Sequence, residues 1–236
     1  DSPWVGLDKF QELFAGAQFG YAFRNTVYMA LLNLTLGFII PVILGLLISQ
    51  VRNKRRSRVV QTITYMPYFV APVVVCTLAK EFLKEGGAIT MFLTMFGLPN
   101  QNWLAVNSPV FWFINCFLGI WQGAGYGAIV YIAAINGIDQ NLYEAACIDG
   151  ASRWQRLWNI TIPSIVPLVV MMFTMQIGLV FMTGFDKVLL LYMPTTYEFS
   201  DCLSTYTYRM AFSSGNDFSL STASGLLQSI IGTLLL

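Results

Sequence analysis

The residues whose type and spacing bear most directly on chemistry are Glu144-Ala145-Ala146, then Gly150, then Ile160-Thr161-Ile162-Pro163. A carboxylate beside two small residues offers a charge to a cation and lets a second surface approach closely. Gly150 can take the left-handed conformation that ends a helix and turns the chain. This is the chemistry of docking rather than of bond breaking. Nucleophilic and acid–base chemistry finds few parts elsewhere. The chain has no histidine, and its four cysteines (Cys76, Cys116, Cys147, Cys202) lack metal-ligand spacing. No metal site and no catalytic residue is expected. No Gly-x-x-x-x-Gly-Lys-Ser/Thr loop is present, so any nucleotide hydrolysis of that kind belongs to another subunit, and no cofactor is expected in this chain.

The elements that position the loop are apolar. Hydrophobic residues make up 56% of the chain and charged ones 11%, with a mean hydropathy of +0.62. A soluble domain carries roughly a quarter charged residues, so the composition alone indicates an integral membrane protein. A net charge of +1 gives no electrostatic reason to expect nucleic acid.

A helical span needs about 20 apolar residues, and charges mark the limits. Uncharged stretches predict spans at 26–50 and 59–79, with Pro41, Pro67 and Pro72 as kinks that a bundle tolerates. The stretch after Gly86 is too long for one helix. Its Pro and Asn clusters predict a loop with a short apolar helix over 86–108, then a third span at 109–137. A fourth follows at 165–192, and a fifth starts near Leu220 and is cut off at Leu236. Continuous apolar runs argue against a β-barrel. The expectation is an all-α polytopic bundle with five helices visible. Both chain ends read as truncated, with an N-terminal helix missing.

Orientation follows from Lys and Arg. Arg52, Lys54, Arg55, Arg56 and Arg58 crowd one short connection, which should be cytoplasmic. Alternation then puts 138–164 in the cytoplasm and 1–24, 80–108 and 193–219 outside. The domain expectation is an extracytoplasmic segment 1–24 and a transmembrane domain 25–236 carrying the cytoplasmic loop 138–164.

Within that loop, 141–149 reads as a short helix. Asn141 is its expected N-cap and Glu144 the third residue of a capping box. Ser152 should cap the next helix, and Pro163 and Pro167 lead into the fourth span. An interfacial hairpin on anionic lipid, with Trp154 and Trp158 at the headgroups, would use many of the same residues. The joint spacing of the EAA triplet, Gly150 and Pro163 favours docking.

That spacing closely resembles the EAA loop of ABC-type import permeases, with Ile162 where the family usually has Leu. Similarity extends from about Phe19 to the end. Arg24-Asn25-Thr26, Gln61-Thr62-Ile63-Thr64-Tyr65-Met66-Pro67, Tyr131-Ile132-Ala133-Ala134-Ile135, Leu142 to Ala146 and Ile148-Asp149-Gly150-Ala151 resemble carbohydrate-uptake permeases. The nearest branch is that of polysaccharide or lipoprotein permeases, akin to the larger maltose-type subunit. The resemblance implies a type I importer fold and a prokaryotic inner-membrane location. It also implies a second permease, two ATPase subunits that bind the ATP and Mg, and an extracytoplasmic solute-binding protein. It makes Tyr143, Glu144, Ala145, Ala146, Asp149, Gly150, Ala151 and Pro163 the ATPase-coupling residues.

Polar residues within spans face a cavity or another helix. Asn115, Gln122 and Tyr126 share one helical face, and Gln176, Thr183 and Lys187 repeat the spacing. Ser221, Ser224 and Gln228 cluster in the fifth span. Gln122, Tyr126, Gln176 and Thr183 could line a route for a hydroxyl-rich solute, with Trp121 and Tyr131 stacking on sugar rings. The alternative is interhelical hydrogen bonding; it is even for Gln122 and Gln176 and favoured for Asn115 and the serines. Gly119, Gly123 and Gly127 predict close helix packing. An importer subunit for oligosaccharides is the leading reading. An importer of another solute, such as an amino acid or phosphate, is the nearest alternative. An ion-coupled transporter lacks its expected repeats and mid-span carboxylate.

Overall fold

A computed structural model describes residues 6–51, 53–181, 184–212 and 217–235, and among these every regular element is a helix. In chain order they begin with α1 (Asp8–Ala15), α2 (Ala17–Ser49), α3 (Lys54–Tyr65) and α4 (Pro72–Leu83). Next come α5 (Ala88–Thr94), α6 (Val110–Asn136), α7 (Gln140–Ile148) and α8 (Arg153–Leu179). The last are α9 (Phe185–Leu191), α10 (Tyr197–Ser200), α11 (Leu203–Phe212) and α12 (Phe218–Leu234). Among the described residues α2, α6 and α8 are individually long and apolar enough to cross a membrane.

The third span and the short helix in 86–108 lie where the uncharged stretches put them. The other limits move, each for a physical reason. The first span starts at Ala17, nine residues before Thr26, and runs through Arg24. Arg24 does not stop the helix because its guanidinium is engaged by the protein: Nη2 donates to the Glu198 carbonyl at 2.6 Å and the group lies 4.6 Å from the Phe199 ring, although Nε is buried without a partner. The second span is two helices. A 3-10 turn at Met66–Phe69 follows α3, and Val70 and Ala71 are extended before α4. Pro67 and Pro72 break this span rather than kink it, since each lacks an amide donor and Pro72 disfavours a helical Ala71. The fourth helix starts inside the loop at Arg153 and stops at Leu179. Left-handed Gly184 (φ 97°) precedes α9. The face expected to join Gln176, Thr183 and Lys187 is therefore not one helical face. Thr183 itself lies outside the described residues.

The chain forms two compact units. The first comprises Asp1–Asn33, Ala71–Leu118 and Ile177–Leu236. Its core gathers Met29, Cys76, Phe111, Trp112, Val188 and Leu191. Polar ties hold its irregular segments. Asn25, fully buried, donates to the carbonyls of Glu198 and Asp201. Asp201 and Arg209 form a buried ion pair at 2.5 Å, with the Thr205 hydroxyl donating to the same carboxylate and the guanidinium over the Tyr197 ring. Burial pushes the Asp201 carboxyl above its ordinary range, against the pull of Thr205 and Arg209. In α12, Ser221 donates to the Thr207 carbonyl, Ser224 accepts from the Thr207 hydroxyl, and Gln228 donates to Ser204. The serine cluster is thus engaged in helix-to-helix bonds.

The second unit comprises Leu34–Val70 and Gly119–Gln176. Ile48, Ala128 and Ile132 form its buried apolar centre. The close approaches are at Gly125, Gly127 and Gly45. A Cβ on Gly125 would overlap the Thr64 carbonyl, one on Gly127 would lie 3.3 Å from Pro41 Cβ, and one on Gly45 2.9 Å from Tyr131 Cβ. Nothing lies within 4 Å of the corresponding position on Gly123. Within this chain, close packing is met at Gly127, whereas Gly123 meets no neighbour among the described residues.

Candidate functional site

The loop between α6 and α8 is shaped by local bonds. Asp139, not Asn141, caps α7: its carboxylate accepts from the Asn141 amide at 3.0 Å. Glu144 is consequently not part of a capping box, and among the described residues its carboxylate has no hydrogen-bond or ion-pair partner. At the other end, Ala151 N–H donates to the Ala146 carbonyl at 2.8 Å and Gly150 N–H to Cys147 at 3.1 Å. With Gly150 at φ 76° this is a complete Schellman turn. Ser152 then starts α8 with a capping box: its hydroxyl accepts from the Gln155 amide, and Gln155 accepts from the Ser152 amide. One cap of this kind contributes about 1 kcal/mol.

Two side-chain bonds latch α7 to α8. Tyr143 and Thr161 share a hydroxyl hydrogen bond at 2.9 Å, and Arg156 donates to the Cys147 sulfur at 2.8 Å. The first turns of α8 contain a π-helical segment, Leu157–Thr161, just ahead of Pro163. Such a segment shifts the hydrogen-bond ladder where proline removes a donor. Pro163 thus lies inside a continuous helix and is exposed.

The result is a short helix with a fixed inner side and an open outer one. Tyr143 and Ala146 are half-buried, while Leu142, Glu144, Ala145 and Asp149 are exposed. Ile148 is 87% exposed, an apolar tip on a polar loop. The exposed side of α7 thus presents a carboxylate without a partner among the described residues, a small residue and a protruding aliphatic side chain.

The polar span residues fall in different settings. Gln122 is buried and donates to the Val70 carbonyl at 2.7 Å, the carbonyl exposed by the break before α4. Tyr126 stacks on Tyr68 with centroids 3.9 Å apart, and remains 44% exposed. Trp121 is 47% exposed, Gln176 is half-buried, and Tyr131 is buried. Asn115 is buried, with its amide on the Met29 sulfur at 3.5 Å. Sequence reasoning missed Tyr68, whose ring pairs with Tyr126, and the buried pair Asp201 and Arg209, and it read Asn25 only as part of the Arg24-Asn25-Thr26 resemblance. A signal existed for Tyr68, since an aromatic beside Pro67 sits where a break would place it.

Comparison with known proteins agrees with this architecture. Residues 37–235 match the family model described as the binding-protein-dependent transport system inner membrane component. The chain is 37% identical over 235 residues to the polygalacturonan/rhamnogalacturonan transport system permease protein YteP of Bacillus subtilis (strain 168), covering 99% of this chain and 73% of that protein. Among solved structures it is similar to a chain of a bacterial ABC transporter involved in the import of the acidic polysaccharide alginate. The TM-score is 0.94 at 38% identity, over all of this chain and 82% of the other. A bacterial alginate ABC transporter in complex with alginate pentasaccharide-bound periplasmic protein gives a TM-score of 0.92, also at 38% identity, over 98% and 80%. A type I ABC importer permease fold, a family match over most of its length and an identity of this size lead to one assignment: the chain belongs to the binding-protein-dependent transport system inner membrane component family, and is a membrane transport component rather than an enzyme.

Proposed function

We propose that this chain is the substrate-translocating permease subunit of an ATP-driven importer of oligosaccharides, coupled to its ATPase through α7. The observation that carries the coupling is the outer side of α7, where unpartnered Glu144 and protruding Ile148 sit on a helix fixed by a Schellman turn and two latches. Tyr143, Ala145, Ala146, Asp149, Gly150, Ala151 and Pro163 complete that element. In this reading 138–164 is cytoplasmic, 1–24 is extracytoplasmic, and 25–236 is the transmembrane domain. A second permease, two ATPase subunits holding ATP and Mg, and an extracytoplasmic solute-binding protein complete the transporter.

The carbohydrate class is supported by relatives named for polygalacturonan and rhamnogalacturonan transport and for alginate import. Gln122, Tyr126, Gln176, Trp121 and Thr183 remain the candidate pathway residues. Tyr126 and Trp121 keep exposed ring surface to offer a sugar, while Gln122 already has one backbone partner.

The test is uptake of labelled oligosaccharide by proteoliposomes holding the assembled complex and its binding protein. Uptake should require ATP on the α7 side and the binding protein, and should survive collapse of the proton gradient. Uptake that ignores ATP and stops with the gradient would overturn the reading.

A further inference from the structure

We propose that a polar cavity behind the loop is a binding site for a phosphate-ester anion. The cavity has a volume of about 370 Å³ and lies within the second unit, at the end of α2 and the inner side of α7 and α8. Ser49, Gln50, Tyr143, Arg153, Arg156 and Thr161 line it. That lining supplies two guanidinium groups, three hydroxyls and an amide, and no carboxylate. Planar guanidinium forks match phosphate oxygens and bind them with charge-assisted hydrogen bonds.

Among the described residues neither arginine forms an ion pair. Arg153 has no hydrogen-bond partner there, and Arg156 Nε is buried without an acceptor although Arg156 Nη1 reaches the Cys147 sulfur. The two guanidinium groups at the cavity are thus not neutralised by any carboxylate among the described residues, and an anion would supply the acceptor they lack. The carbonyl end of α2 also faces this region and opposes an anion with about half a unit charge. Two full positive charges outweigh it. The Tyr143–Thr161 bond holds two of the hydroxyls in place before any ligand arrives.

A lipid headgroup and a soluble phosphate share this chemistry. The surroundings favour lipid: Trp154 and Trp158 are 66% and 54% exposed with rings 5.9 Å apart, on the stretch where α8 turns from basic to apolar. Indole rings concentrate where headgroups meet acyl chains. The site depends on the loop geometry and holds whether or not the transport reading does.

The experiment is native mass spectrometry of the full-length chain released from nanodiscs of phosphatidylcholine with phosphatidylglycerol, with inorganic phosphate as the soluble competitor. Wild type should retain phosphatidylglycerol, and Arg153→Gln should hold it about tenfold more weakly, the loss of one charge-assisted contact. Ser49→Asp, which puts a carboxylate into the cavity and leaves both arginines, should release it, with thermal unfolding confirming a folded chain. Displacement by phosphate, or phosphate binding in discs of phosphatidylcholine alone, would keep the anion site and make its source soluble. Equal retention in wild type and both variants, with no phosphate bound, would overturn the proposal.

Discussion

Gln122 shows how a polar residue in a span can serve the fold. Its amide donates to Val70, so Gln122→Ala leaves a backbone carbonyl unpaired beside the helix break. A loss of about 1–3 kcal/mol is expected, seen as a lower unfolding temperature in detergent. Unchanged stability would show that the carbonyl finds another donor and would strengthen the pathway reading. Asp201 and Arg209 give a sharper case, since both are buried. Removing one partner of such a pair costs about 3–5 kcal/mol, whereas an apolar pair of similar volume is often neutral. Asp201→Ala should therefore destabilise strongly, and Asp201→Leu combined with Arg209→Met should recover most of the loss in the same unfolding assay. These residues were not legible in the sequence. Asp201 meets Asn25, 176 positions away, and no local pattern announces such a tie.

At the scale of elements, legibility tracked how local each signal is. The turn at Gly150 and the cap at Ser152 depend on residues within five positions, and both formed as spacing predicts. The α7 cap moved by two residues because Asp139 is the stronger local acceptor for the Asn141 amide. Span limits set by charge failed where tertiary contacts engaged the charge, as at Arg24, or where a backbone break was decisive, as at Val70–Ala71. Glycine patterns were ambiguous in the same way: periodicity alone cannot say which glycine faces a neighbour. The structure puts the tight approach at Gly125, against the backbone of α3. Gly125→Ala should cost about 1–3 kcal/mol through overpacking. Gly123→Ala, where space is open, should change stability by less than about 0.5 kcal/mol. Unfolding curves of the two variants side by side decide this, and equal effects would contradict the packing.

For the molecule as a whole, composition and charge pattern were enough to indicate a helical membrane protein, because a bilayer demands long apolar helices and leaves little choice. The geometry of the loop was legible because it is one contiguous segment. The proposed pathway was not, because it depends on how distant segments meet. The central claim is that α7 is the element through which a separate ATPase acts on this chain, with Glu144 as its exposed charge. The most direct measurement is affinity purification of the full-length chain in mild detergent, with mass spectrometry of what copurifies, for wild type and Glu144→Lys. The account predicts a second permease with both and a P-loop ATPase with wild type alone, while the variant still inserts into the membrane. An ATPase recovered equally with both would deny Glu144 its role, and a chain that purifies alone would contradict the importer assembly itself.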